Sequence, residues 1–168
     1  MLRDKKALVL RILYVIYFIV LLALVTCKIN EIYYYVEEGR YVHSIVREIK
    51  MNRKLGYWNY NFIPFEAYSY WISEHIWGSL ILNILGNTMA FAPMGFFEIA
   101  LSKHKKFWKV VLRCFIIVVS LEVFQFISCL GYLDIDDIIM NTIGCVLGCL
   151  LYYLFTVICQ KAKNFFTH

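Results

Sequence analysis

Charge is scarce in this 168-residue chain: Asp, Glu, Lys and Arg make up 17% of it, where a soluble domain carries about 25%. Hydrophobic residues reach 61% and the mean hydropathy is +0.64, which excludes an ordinary water-soluble fold. The chain has no C-x-x-C, and its four histidines are scattered at positions 43, 75, 104 and 168, which argues against a zinc site. No basic run is interleaved with the glycines and polar residues of a nucleic-acid surface, so the net charge of +5 does not point to nucleic acid. There is no internal repeat, no low-complexity linker, and no nucleophile with an adjacent base. One further absence is local. The joint at 131–137 holds three aspartates and not a single Lys or Arg.

What the chain does have is long apolar runs. A bilayer core requires about 20 apolar residues per helix, and residues 8–26, 76–100, 107–130 and 138–159 meet that length. Arg11 lies close enough to the start of the first run to snorkel to the surface, and Pro93 is expected to break the second. Basic residues flank the set. Arg3, Lys5 and Lys6 precede the first run; Lys103, Lys105, Lys106 and Lys109 fall between the second and third; Lys161 and Lys163 follow the fourth. Positive charge in short loops marks the cytoplasmic side. Both termini are therefore expected in the cytoplasm and the acidic joint outside. The expected fold is an all-α integral membrane protein of four transmembrane helices, with an external amphipathic segment between the first and second.

The organisation follows from this. Residues 1–26 read as a signal-anchor helix, because the apolar run exceeds the 7–15 residues of a cleaved signal and no A-x-A-like site follows it. Residues 27–75 read as an external interfacial segment. Within it Val42, Ile45, Val46 and Ile49 recur at helical spacing, with Arg40, Arg47, Lys50 and Lys54 largely elsewhere on the wheel, the pattern of an amphipathic helix lying on a membrane. Tyr33, Tyr34, Tyr35, Tyr57, Trp58, Tyr60, Tyr70, Trp71 and Trp77 suit an interfacial belt. Residues 76–168 form a three-helix core with a C-terminal tail. Cys114, Cys145, Cys149 and Cys159 fall inside spans, where cysteine is ordinarily a small packing residue.

Polar residues inside spans call for explanation, since a charged side chain at mid-depth costs about 2.5–3.5 kcal/mol on insertion scales. Asn83 and Asn87 share one face of the second span. Glu122 and Gln125 stand one turn apart on the third. On the fourth, Asp137, Asn141, Gly144 and Gly148 form a single seam. All three stripes lie toward the joint end, and are expected to face one another around a small outward-opening polar cavity. Simpler readings exist for each. Asp134 is a good N-cap with Asp137 at N3, the asparagines can bond between helices, and Gly144-x-x-x-Gly148 is a packing spacing that can serve self-association. Glu122 resists the simple reading, because a neutral Gln would bond as well without the ionisation cost.

Taken in order, NFIPF (61–65), N-x-x-G-N (83–87), FAPMGF (91–96), SLEVFQ (120–125) and DIDDIIMNTIG (134–144) resemble the motifs of the VanZ-like family over residues 61 to 148. The resemblance implies a small bacterial cell-membrane protein, associated through the founding member with low-level resistance to the lipoglycopeptide teicoplanin. It carries over Asn61, Pro64, Phe65, Asn83, Asn87, Pro93, Gly95, Glu122, Gln125, Asp134, Asp136, Asp137, Asn141 and Gly144 as motif residues. Some members have an arginine just before the acidic block, where this chain has Gly131-Tyr132-Leu133.

The expected ligand contacts are Asn61, Asn83, Asn87, Glu122, Gln125, Asp134, Asp136, Asp137 and Asn141. The expected partner is a membrane lipid or lipid-linked amphiphile, with no cofactor or metal implied. Two other classes share these residues: an enzyme using the carboxylates as acid and base on a lipid-linked substrate, and a small proton- or cation-coupled carrier. A structural or partner-binding role through Gly144 and Gly148 is a further reading.

Overall fold

A computed structural model describes residues 2–27 and 42–166. Helix α1 spans Leu2–Cys27, α2 Val42–Lys54, α3 Glu66–Ser73, α4 Trp77–Leu101, α5 Phe107–Ser128 and α6 Ile135–Phe166. Two short strands, β1 (Tyr60–Asn61) and β2 (Leu133–Asp134), pair in parallel with Tyr60 opposite Leu133 and Asn61 opposite Asp134. Among the described residues, four helices are long and apolar enough to cross a membrane: Ala7–Val25, Trp77–Leu101, Phe107–Ser128 and Ile135–Phe165. Their outward faces are oily, with Leu8, Ile12, Ile81, Leu112, Ile116, Leu151 and Leu154 all exposed. That distribution suits lipid and would be ruinous in water.

Three of the spans fall within a few residues of their expected bounds. Pro93 does not break α4, which runs through it unbroken; neighbouring helices make such a proline tolerable in a span. The last helix is longer than expected. Its 32 residues reach about 48 Å at 1.5 Å per residue, against roughly 30 Å of hydrocarbon.

Contacts between helices fix their directions. Tyr14 of α1 reaches Glu98 near the end of α4, while Gln125 near the end of α5 reaches the Val25 carbonyl of α1. Tyr153 of α6 donates to the Lys105 carbonyl in the α4–α5 loop. The four long helices therefore alternate in direction. The start of α1, the lysine-rich loop and the end of α6 share one end of the bundle, and the acidic joint lies at the other.

The closest packing is between α4 and α6, and glycine permits it. A Cβ on Gly148 would lie 1.8 Å from the Ala92 carbonyl oxygen, one on Gly95 1.9 Å from that of Cys145, and one on Gly144 2.4 Å from that of Thr88. The sequence offers the Gly144 and Gly148 seam to a second copy; in the fold, α4 of the same chain fills it. Cys145 and Cys149 are fully buried in this contact, and the Cys149 thiol donates to the Gly95 carbonyl at 3.3 Å. Helix α1 adds a softer face, stacking Tyr14 on Phe97 and setting Tyr17 tilted against it, with the Tyr17 hydroxyl donating to the Ala90 carbonyl at 2.6 Å.

Between α1 and α4, the amphipathic helix is present as α2. It buries Ile49 completely and exposes Arg47, Glu48 and Lys50. The side chains of Val42 and Ile45 lie outside the described residues, as do Tyr33, Tyr34, Tyr35 and Arg40. Tyr57, Trp58, Tyr60, Tyr70 and Trp77 are exposed near this end of the chain's spans, where amphipathic rings favour the membrane interface.

Candidate functional site

The three polar stripes do converge. Asn87 of α4 donates to the Asp137 carboxylate of α6 at 2.6 Å and to Asn83 Oδ1, one turn away, at 3.3 Å. Asn83 Oδ1 also accepts from the Tyr68 hydroxyl of α3 at 2.7 Å. Deeper along the α6 seam, Asn141 Nδ2 lies 3.5 Å from Glu122 Oε1 of α5. The result is a continuous polar line, Tyr68–Asn83–Asn87–Asp137 and then Asn141–Glu122. It is half-buried at the joint end and closed below, where Glu122 is 2% exposed and Asn141 3%. The expected cavity is packed at its floor, the side chains there touching one another. Two open cavities of about 340 and 350 Å³ lie instead against α2, and neither is lined by a residue of this line.

Local sequence explains how the joint presents these groups. Asp134 Oδ1 accepts from the Asp136 amide at 2.9 Å, which is N-cap geometry at the start of α6. Asp136 turns the other way and accepts from the Phe65 amide at 2.8 Å. Phe65 sits at φ 61° in the left-handed region, uncommon for a bulky residue, and the carboxylate holds it there. Asp137 is then left on the face toward α4. The DIDD run thus performs three tasks with three acids: a cap, a clamp on the IPF turn, and the rim of the polar line. Acids in this first turn also suit the positive end of the helix dipole.

Two expected members stand elsewhere. Gln125 donates to the Val25 carbonyl at 2.7 Å and ties α5 to α1. Asn61 closes a local turn by accepting from the Ile63 amide at 3.0 Å. Tyr68, conversely, belongs to the site and was outside the expected set. Its signal was available only through folding, since α3 is a short helix whose one buried residue is Tyr68. Burial, followed by the carboxylates of Asp136, Asp137 and Asp134, pushes its hydroxyl above the ordinary range. It therefore remains a neutral donor.

A second feature, not evident from the sequence, fastens the segment between α1 and α4. The Arg53 guanidinium donates to Asn59 Oδ1 at 2.8 Å through Nε, and to the Phe126 carbonyl near the end of α5. It lies over the rings of Phe126 and Trp58, with centroids 4.7 and 5.4 Å away. Asn59, 3% exposed, passes the link on by donating to the Gly131 carbonyl at 2.5 Å. A cation at a helix C-terminus is favourable, so this contact both caps α5 and anchors the loop.

A third lies at the lysine-rich end. Glu98 of α4 accepts from the Tyr14 hydroxyl at 2.8 Å with one oxygen and from Arg113 of α5 at 2.8 Å with the other. Among the described residues, no group of three His, Cys, Asp or Glu side chains is placed to hold a metal ion.

Compared with known proteins, the chain matches the family model VanZ/LLP1 over residues 14–156. No curated protein and no solved structure matches it.

Proposed function

The chain belongs to the VanZ/LLP1 family, and from that premise we propose a bacterial cell-membrane protein whose joint-end polar line receives the head group of an amphiphile. The tail stays in lipid, and the consequence is reduced access or action of a teicoplanin-type lipoglycopeptide at the outer face. The observation that carries this reading is the Asn87–Asp137 contact at 2.6 Å. It joins two spans through polar groups that stay half-buried, in a bundle whose outward surfaces are largely apolar. Ionisable groups kept inside a membrane bundle ordinarily mark a pathway or ligand.

Orientation is part of the proposal: the lysine-rich end faces the cytoplasm by the positive-inside rule, so the joint faces out. Single cysteines placed at 132 and 104 in a cysteine-free chain test this, with labelling of intact cells by an impermeant thiol reagent expected only at 132. Tyr132 and His104 are both exposed, so burial does not bias the comparison.

Drug susceptibility in a sensitive host, with membrane abundance measured by blot in the same cells, tests the function. Asp137→Asn and Glu122→Gln should each remove protection at normal abundance. Full protection by either variant would show that its carboxyl group is dispensable. Absence of protection by the unaltered protein would remove the antibiotic from the reading.

A further inference from the structure

At the joint end, the buried side-chain atoms left without a hydrogen-bond partner are oxygens. The Tyr68 hydroxyl has one hydrogen, and Asn83 receives it. The two amide hydrogens of Asn87 are directed at Asn83 and Asp137. The Phe65 amide is held by Asp136 Oδ1. Acceptors remain. Asp136 Oδ2 and Asn141 Oδ1 are buried with no hydrogen-bond partner, in residues 2% and 3% exposed. Asn141 stands one turn below Asp137 on the same face of α6, so its oxygen belongs to the seam that Asp137 rims. No Lys or Arg among the described residues forms an ion pair with Asp136 or Asp137. Buried acceptors left without donors are costly, and native proteins carry few of them.

We propose that the seam takes the primary ammonium group of an amphiphile, whose N–H bonds answer the carboxylate of Asp137 and the amide oxygen of Asn141. The inference rests on the proposed head-group site and narrows its chemistry. An anionic phosphate would meet carboxylates and unfilled acceptors, which is repulsive on both counts. A trimethylammonium group supplies charge but no N–H, and so satisfies neither oxygen by hydrogen bonding. A primary ammonium supplies three donors and the opposing charge together.

The test is a titration of the full-length protein, in neutral detergent, with three phospholipids of matched tails, followed by native mass spectrometry. Phosphatidylethanolamine should bind at least tenfold more tightly than phosphatidylcholine or phosphatidylglycerol. Asp137→Asn should erase that preference, while Glu66→Gln, an exposed acid on α3, should keep it. Equal affinity for the three lipids, or preference for phosphatidylglycerol, overturns the ammonium assignment. If such unselective binding still weakens tenfold in Asp137→Asn, the head-group site survives that result. If no lipid responds to Asp137→Asn, the site falls as well. The three-lipid comparison on the unaltered protein decides the head-group chemistry even where a variant fails to fold.

Discussion

Two carboxylate clusters sit at opposite ends of the same bundle, and they are built on opposite terms. At the lysine-rich end, Glu98 has a donor for each oxygen, from Tyr14 on α1 and Arg113 on α5. At the joint end, Asp137 has one amide, and Asp136 Oδ2 and Asn141 Oδ1 go without. The first arrangement is complete: three helices meet at one acid and nothing is left to attract a ligand. The second is short of donors, and its shortfall lies in buried groups just behind a rim, Asn83, Asn87 and Asp137, that remains half-buried. A polar residue inside a membrane helix is therefore no guide to function by its type. What separates a staple from a site is whether its neighbours finish its hydrogen bonding.

Several substitutions would break or sharpen this contrast. The largest effect should come from Gly148→Ala, which abolishes the frame both clusters depend on. Its Cβ meets backbone at 1.8 Å, and overpacking of a tight contact costs about 1–3 kcal/mol or more. Loss of monodisperse protein on size-exclusion chromatography is the expected outcome, while Gly86→Ala, which points into open space, leaves the profile unchanged.

Arg113→Ala comes next and should strike the closed cluster alone. It leaves Glu98, a buried acid, with only the Tyr14 hydroxyl. The cost is about 1–2 kcal/mol, below the 3–5 typical of a fully buried pair, because Arg113 itself is half exposed. Thermal unfolding in detergent should show the loss, and combining it with Glu98→Gln should recover most of it. Lipid selectivity at the joint should not move.

Asp137→Asn reverses that pattern. Asn keeps the shape and can accept from Asn87, so stability should change by roughly 0.5 kcal/mol or less while head-group binding falls tenfold. A large drop in melting temperature would mean that the two clusters are both structural. The smallest effect belongs to Asp134→Asn, since Asn and Asp cap helices about equally. Abundance on a membrane blot should match that of the unaltered protein.

The contrast also explains what the sequence could and could not disclose. Apolar length and basic flanks suffice for four spans, because the bilayer sets both independently of tertiary detail. Helical spacing likewise suffices to put Asp137 and Asn141 on one seam and Asn83 and Asn87 on one face, and the Asp134 cap follows from local chemistry. Partner choice is another matter. Glu98 sits at the edge of an apolar run and Arg113 is the seventh residue of the next, and only folding sets Glu98 between Arg113 and Tyr14. The same holds for Gln125, whose position beside Glu122 suggests the site but whose amide turns to α1. Gly144 and Gly148 show a close-packing face without showing whose helix lies on it.

The link between the segment preceding α4 and the joint has a consequence in time. Phe65 and Asn59 bind partners 71 and 72 residues further along the chain, and strand β1 waits for β2. A ribosome delivers residues in order, so two more spans must be inserted before any of these fastenings can close. Until Asp136 emerges, the Phe65 turn has nothing to hold its left-handed backbone, and α5 lacks the neighbour that receives Asn59. Closing so long a loop late is entropically costly and slow. Emergence of residues 131–136 thus acts as the clasp on a segment made long before it, and a nascent chain halted at residue 130 would hold that segment only through its contacts with Phe126.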